Sequence, residues 1–227
     1  MTTPSTLLAA LAALALALPP AARAQGCVGA PVPDGAHAVQ VEAGSATYDL
    51  GEEYDGTSLG VGFRANPRGL LGYSVEYARR NVGENDTQVN VGSAALALRL
   101  PLPVSLLTVC VRGGVSAALL SQDASGTDLT NLTVPAALVV ELPLPLGPGR
   151  LLVPYAAPQY LYSRTSGEVF GFDLDENDTG FGVEAGVGLR LSRLVLTGGA
   201  MFSELAPELA TTAFPGQAFF VRLGVLF

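Results

Sequence analysis

The stretch Phe219-Phe220-Val221-Arg222-Leu223-Gly224-Val225-Leu226-Phe227 alternates without a break. Successive side chains of a strand point to opposite sides, so Phe219, Val221, Leu223, Val225 and Phe227 share one face. Phe220, Arg222, Gly224 and Leu226 share the other. An apolar strand left at the edge of a sheet invites aggregation, so this one needs a partner on both sides. Closure against the first strand of the same sheet supplies it. A wholly apolar face and a face holding an arginine and a glycine then suit lipid outside and a filled lumen inside.

The beginning of the sequence reads as an export signal. Leu7 to Leu18 is a continuous Leu/Ala run, shorter than the roughly 20 apolar residues of a spanning helix. Pro19-Pro20 stops it, and Ala22-Arg23-Ala24 gives an A-x-A cleavage pattern, so residues 1–24 are expected to be a signal peptide. A lipid on Cys27 is the lesser alternative, because Ala24-Gln25-Gly26 is a poor lipidation context. Beyond residue 24 charges or glycines interrupt every apolar run. Yet 49% of residues are hydrophobic and 14% charged, against roughly 25% charged in ordinary globular chains. An exported apolar chain without a spanning helix can be a soluble β-sandwich or a membrane barrel, the sheet that satisfies its backbone in lipid.

Candidate strands fall at 38–49, 57–66, 70–81, 88–100, 106–121, 131–142, 150–163, 179–191, 193–203 and 217–227. In the eighth, Phe181, Val183, Ala185, Val187, Leu189 and Leu191 oppose Gly182, Glu184, Gly186, Gly188 and Arg190. Connections alternate between polar, mostly long ones (50–56, 82–87, 122–130, 164–178, 204–216) and short ones rich in Pro, Arg or Ser. A membrane barrel alternates in this way, with short periplasmic turns and longer external loops. A sandwich gives no reason for it. Ten strands put both termini on the periplasmic side. Eight is the alternative, with two segments around 131–162 becoming loop where Pro135, Pro143, Pro145, Pro154 and Pro158 weaken the pattern.

In its final strand, and more loosely over 38–227, the chain resembles the bacterial outer-membrane β-barrel proteins, the small porin-like or opacity-type barrels of Gram-negative cell envelopes. The resemblance implies a closed antiparallel up-and-down transmembrane barrel (all-β) over 38–227, preceded by a periplasmic segment over 25–37. It also implies that Phe219, Val221, Leu223, Val225 and Phe227 are an assembly signal read by the barrel assembly machinery. Outer-membrane lipid and lipopolysaccharide are the expected surroundings, and a monomer is expected.

Seven charges fall on the inward face of their strands: Glu42, Arg64, Glu76, Arg112, Glu184, Arg190 and Arg222. Barrels of about eight strands are just wide enough to be filled by side chains, and buried charges must be paired. A salt-bridged plug is expected, with a narrow conduit for ions or small solutes as the alternative. Fifteen of the twenty carboxylates lie in or beside the long connections, and all twelve basic residues are Arg. This disfavours nucleic acid as a partner. Asp173-x-Asp175-x-Asn177-x-Thr179 with Glu184 echoes a calcium loop, but Asp178 stands where the turn needs Gly, so no metal and no cofactor is expected.

The one histidine, His37, is expected to be an exposed residue ahead of the first strand. A barrel hydrolase needs a general base at its outer rim, so neither catalysis nor, more specifically, lipid modification is expected. Cys27 and Cys110 are chemically free to form a disulfide in an exported protein, which would pin 25–37 in the lower lumen. Tyr48, Tyr73, Tyr77, Tyr155, Tyr162, Phe63, Phe181, Phe202 and Phe227 are expected in interfacial girdles.

Overall fold

The computed structural model describes residues 24–25, 27, 30–49, 53–67, 70–83, 87–102, 107–122, 127–169, 172–205 and 216–227. The expected signal peptide lies outside them, apart from Ala24. Ten strands form one closed antiparallel sheet: β1 (Ala36–Asp49), β2 (Glu53–Asn66), β3 (Leu71–Val82), β4 (Thr87–Arg99), β5 (Thr108–Gln122), β6 (Thr127–Glu141), β7 (Arg150–Val169), β8 (Phe172–Leu191), β9 (Leu194–Leu205) and β10 (Gln217–Leu226). Each pairs with its neighbours in sequence. β10 pairs with β1 from Gln217 opposite Thr47 to Leu226 opposite Ala38, which closes the barrel. A short strand, Leu144–Gly147, lies against the start of β7, and Ala24–Gln25 pairs with Val32–Pro33.

The register fixes how the strands lean. Followed from Val41 through β2 to β7, the pairing arrives at Asn177 on β8. Followed the other way, through Leu223 and Leu196, it arrives at Leu189. The difference, 189 minus 177, is a stagger of twelve residues around the barrel. Staggered closure goes with strands tilted roughly 35–45° from the axis.

Alternation puts the apolar set outside. Leu59, Phe181 and Phe227 are 69%, 68% and 67% exposed, and Val39, Val41, Val61, Val221, Leu223 and Val225 are exposed beside them. This outward belt is what lipid would cover. One end of the barrel, here called the lower, carries the short turns together with Ala36 and Leu226. The other, the upper, carries the remaining connections.

Three expectations are corrected. The stretch 164–178 is not a loop: β7 and β8 run on as a hairpin to Val169 and Phe172. Beyond Thr165, which is still buried in the bore, the described residues of the hairpin are exposed or half-buried on both faces, so the side chains need no apolar alternation. The prolines of 131–162 do not remove strands. The β6–β7 ladder skips Pro158 and the β5–β6 ladder skips Pro135, a local loss at residues without an N–H, and pairing resumes on both sides. His37 does not precede the first strand but lies within β1, half-buried. Its ring sits 5.8 Å from those of Phe63 and Phe227, and Phe63 is 6.1 Å from Tyr73, so an aromatic cluster marks the lower rim.

Candidate functional site: a layered lumen

Glycines on the inner face make room for what fills the bore. A Cβ on Gly188 would lie 2.7 Å from Pro31 Cδ, and one on Gly186 would lie 2.9 Å from the Tyr155 ring. Both contacts are too close for any other residue to stand there without a shift. The inward strip Gly182, Glu184, Gly186, Gly188 is thus small where something crosses in front of it and charged where a partner reaches it.

The lowest layer is a strap made by the segment ahead of β1. Cys27 is disulfide-bonded to Cys110 of β5, with the two Cα atoms 5.8 Å apart. This end of the strap packs with Ala97, Val139 and Ala157, all buried on the walls of β4, β6 and β7. Pro31 meets Gly188 on β8. Ala30 and Val32 pack with Ala38, Val195 and Leu226 on β1, β9 and β10. Cys27 and residues 30–32 therefore touch walls on different sides of the bore. Asn66 of β2 holds the far end, donating from Nδ2 to Val32 O and to Asp34 Oδ1, each at 3.1 Å.

Above the strap lies the charged layer. Arg222 is the register partner of Glu42 across the closing seam, and its Nε donates to that carboxylate. Arg64 donates to Glu76 between β2 and β3. Glu184 is the hub. Arg112 Nη2 reaches its Oε2 at 2.7 Å from β5, Tyr155 donates its hydroxyl to Oε1 at 2.9 Å, and Arg222 Nη1 lies 3.8 Å from Oε1. The Arg112–Glu184 bond joins strands that are not neighbours and so spans the lumen. The Arg222 guanidinium also lies 4.0 Å over the Phe220 ring. Buried charges are tolerated when paired and hydrogen-bonded in this way.

Six of the seven expected lumen charges thus meet. The seventh, Arg190, faces inward lower down, and no ion pair joins it among the described residues. Tyr155 was expected in an interfacial girdle; it lies instead in the lumen as a ligand of Glu184. Inward phase on β7 could have shown this, because Val153, Tyr155 and Ala157 are all buried. The structure also places inside the bore a hydroxyl and amide cluster that the sequence reading did not single out. Asn131 donates to Ser163 (2.7 Å) and Thr165 (2.9 Å) and accepts from Thr133 (2.9 Å), lacing β6 to β7. A cavity of about 210 Å³ lies against the charged layer, lined by hydroxyl-bearing residues such as Ser74, Ser93 and Ser116.

The upper hairpin is different in kind. Arg164 and Asp175 form an exposed bidentate pair at 3.0 and 2.9 Å, and this bonding holds the Asp175 carboxyl below its ordinary range. Glu184 lies in the lumen with Arg112, away from Asp173 and Asp175, so the calcium-loop echo does not assemble. No group of three or more metal-ligating side chains forms among the described residues.

Comparison with known proteins places this architecture. The family model described as "Outer membrane protein beta-barrel domain" matches residues 6–195. The β domain of the Bordetella autotransporter BrkA is similar in structure, with a TM-score of 0.52 at 13% identity, covering 86% of this chain and 100% of that one. The translocator domain of the autotransporter NalP from Neisseria meningitidis gives 0.50 at 13% identity, covering 85% and 88%. At such identity the likeness is one of fold. No curated protein matches the sequence. A closed ten-stranded barrel with an apolar belt, matched over most of its length by that model, belongs to the outer membrane protein β-barrel domain family.

Proposed function

We propose that this protein is a closed, non-conducting outer-membrane barrel with a structural and surface-interaction role, and that its work is done by the upper, acidic connections. The observation that carries this reading is the double closure of the bore. The strap is tied to both walls, and Arg112–Glu184 crosses the lumen above it. A conduit would have to displace one and break the other.

In this reading the lower end is periplasmic and the upper end is external. Residues 1–24 are then a signal peptide, Phe219 to Phe227 are read by the assembly machinery, and lipopolysaccharide surrounds the upper belt of a monomer. Catalysis has no place in it, since the sole histidine sits at the lower rim in an aromatic cluster rather than at the external mouth. The 210 Å³ cavity favours the narrow-channel alternative in one respect, because it gives a small solute room above the charged layer.

Single-channel recording in planar bilayers decides between them, on protein shown to be folded by its heat-modifiable mobility. Silence is expected from the wild type. Reproducible current steps that change in Arg112→Ala would make the charged layer a conduit and overturn the reading.

A further inference from the structure

Short side chains wall the bore above the charged layer. Ser74, Ala95 and Gly114 share one row of the register on β3, β4 and β5, and Ser93 faces Ser116 in the next. β7 adds Gln159, which lies against Gly182 of β8: a Cβ on that glycine would stand 3.2 Å from Gln159 Nε2. What these residues leave between them is the cavity of about 210 Å³.

Ser74, Ser116 and Gln159 are 7%, 8% and 6% exposed, and Ser93 is half-buried beside them. Among the described residues none of the four side chains has a hydrogen-bond partner in the protein. Asn131, Thr133, Ser163 and Thr165 show the contrast, because they satisfy one another. Buried hydroxyls and amides are nearly always bonded, so the partner of the first group comes from within the cavity.

The wall is polar only in part, since Ala78, Met201 and Phe220 also line it. About seven waters, at roughly 30 Å³ apiece, would fill the space, and several would lie against that apolar surface. A carbon skeleton carrying hydroxyls matches both surfaces. Charge is already balanced: Arg64 meets Glu76, Arg112 meets Glu184, Arg222 meets Glu42, and Arg80 above them has a partner too. A charged ligand would have to break a buried pair, and an uncharged one need not.

We propose that this cavity is a binding cup for an uncharged polyol, from glycerol up to a monosaccharide in size. Ser74, Ser93, Ser116 and Gln159 exchange hydrogen bonds with its hydroxyls, its C–H groups rest on the apolar part of the wall, and the charged layer is the floor. The solute enters from the upper end, and in this respect the proposal rests on that end being external.

The test is saturation-transfer NMR on the folded full-length barrel, in a detergent without a sugar headgroup and in glycerol-free buffer. The probes are glycerol, erythritol and glucose, with acetate and ethylammonium as charged counterparts. Saturable transfer to at least one polyol is expected, and little to either ion. Ser116→Ala and Gln159→Leu each remove cavity-facing hydrogen bonds and should weaken binding about fivefold. Ser93→Leu fills the space and should abolish it, and the two milder variants stand if this one fails to fold. Thr130→Ala, which removes an exposed hydroxyl on the outer face of β6, should bind as the wild type does.

No saturable transfer to any polyol, the result for a cavity that holds water only, overturns the proposal. So does stronger transfer to an ion, or undiminished binding by the folded lumen variants. Conductance is recorded separately on the same preparation. A barrel that conducts and binds a polyol overturns only the closed-lumen reading, and a silent barrel that binds none overturns only this one.

Discussion

His37 and Phe227 exchange both of their backbone hydrogen bonds, N–H to O at 3.0 Å in each direction, and this pair ends the seam between β1 and β10. Their rings lie 5.8 Å apart, with Phe63 beside them. The last pair of the seam is thus sealed on the outside by aromatic rings as well as by the backbone.

Phe227→Ala keeps the backbone bonds and removes the ring. It is expected to lower the amount of heat-modifiable protein that reaches the outer membrane, while His37→Ala has a smaller effect because Phe63 still covers the seam. Unchanged assembly of Phe227→Ala would show that the ring serves neither the seam nor recognition.

The strap yields a second expectation. Its disulfide closes a separation of 83 residues, and removing such a bond costs on the order of 2–4 kcal/mol. The double variant Cys27→Ser, Cys110→Ser should unfold at lower urea concentration yet still form the barrel, since no strand depends on it. In that variant proteinase K should trim the segment ahead of β1, from residue 25 to residue 35, from the folded protein. Equal protection of the segment in both proteins would mean that Val32, Pro31 and Asn66 hold it unaided.

Much of this was legible in the residues. Where lipid faces one side and the lumen the other, each strand carries a period-two signal, and Phe181 to Leu191 or Phe219 to Phe227 could be phased by inspection. The inward charges followed from the same phase. Their partners did not, because Arg112 meets Glu184 across the bore, and that depends on stagger and diameter rather than on either strand alone. The hairpin 164–178 was read as a loop because its polar residues dominate, with Arg164 and the carboxylates Asp173, Asp175, Glu176 and Asp178, and above the belt an apolar face is not required. Gly188 shows the remaining limit. Its smallness reads as lumen, but only the strap's path shows that Pro31 needs the space.

Asp175 gives a pH signature confined to the hairpin. Its carboxyl is held below the ordinary value of 3.8 by the hydrogen bonds and charge of Arg164. A depressed folded value means that the pair contributes above the unfolded value and loses that contribution as pH falls through the lowered one. Both groups are fully exposed, so the effect on global stability is small. Carbon-detected NMR titration should show the Asp175 midpoint rising toward the ordinary range in Arg164→Gln. An unmoved midpoint would mean that the pair does not persist in solution.

The hub position makes Glu184 the most informative substitution in the lumen. Three groups converge on it: Arg112 from β5, Tyr155 from β7 and Arg222 from β10. Glu184→Ala removes the carboxylate that, among the described residues, crosses to Arg112, and leaves that guanidinium buried without it. Breaking a buried pair from one side costs about 3–5 kcal/mol. Glu204→Ala, an exposed carboxylate near the upper end of β9, should change stability by less than about 0.5 kcal/mol. The double variant Glu184→Ala, Arg112→Ala should be more stable than the single one, because it no longer strands a charge. Urea unfolding in detergent, monitored by the mobility shift, measures all three. A Glu184→Ala barrel as stable as the wild type would mean that water, rather than protein, already solvates the layer, and the closed-lumen reading would lose its upper seal.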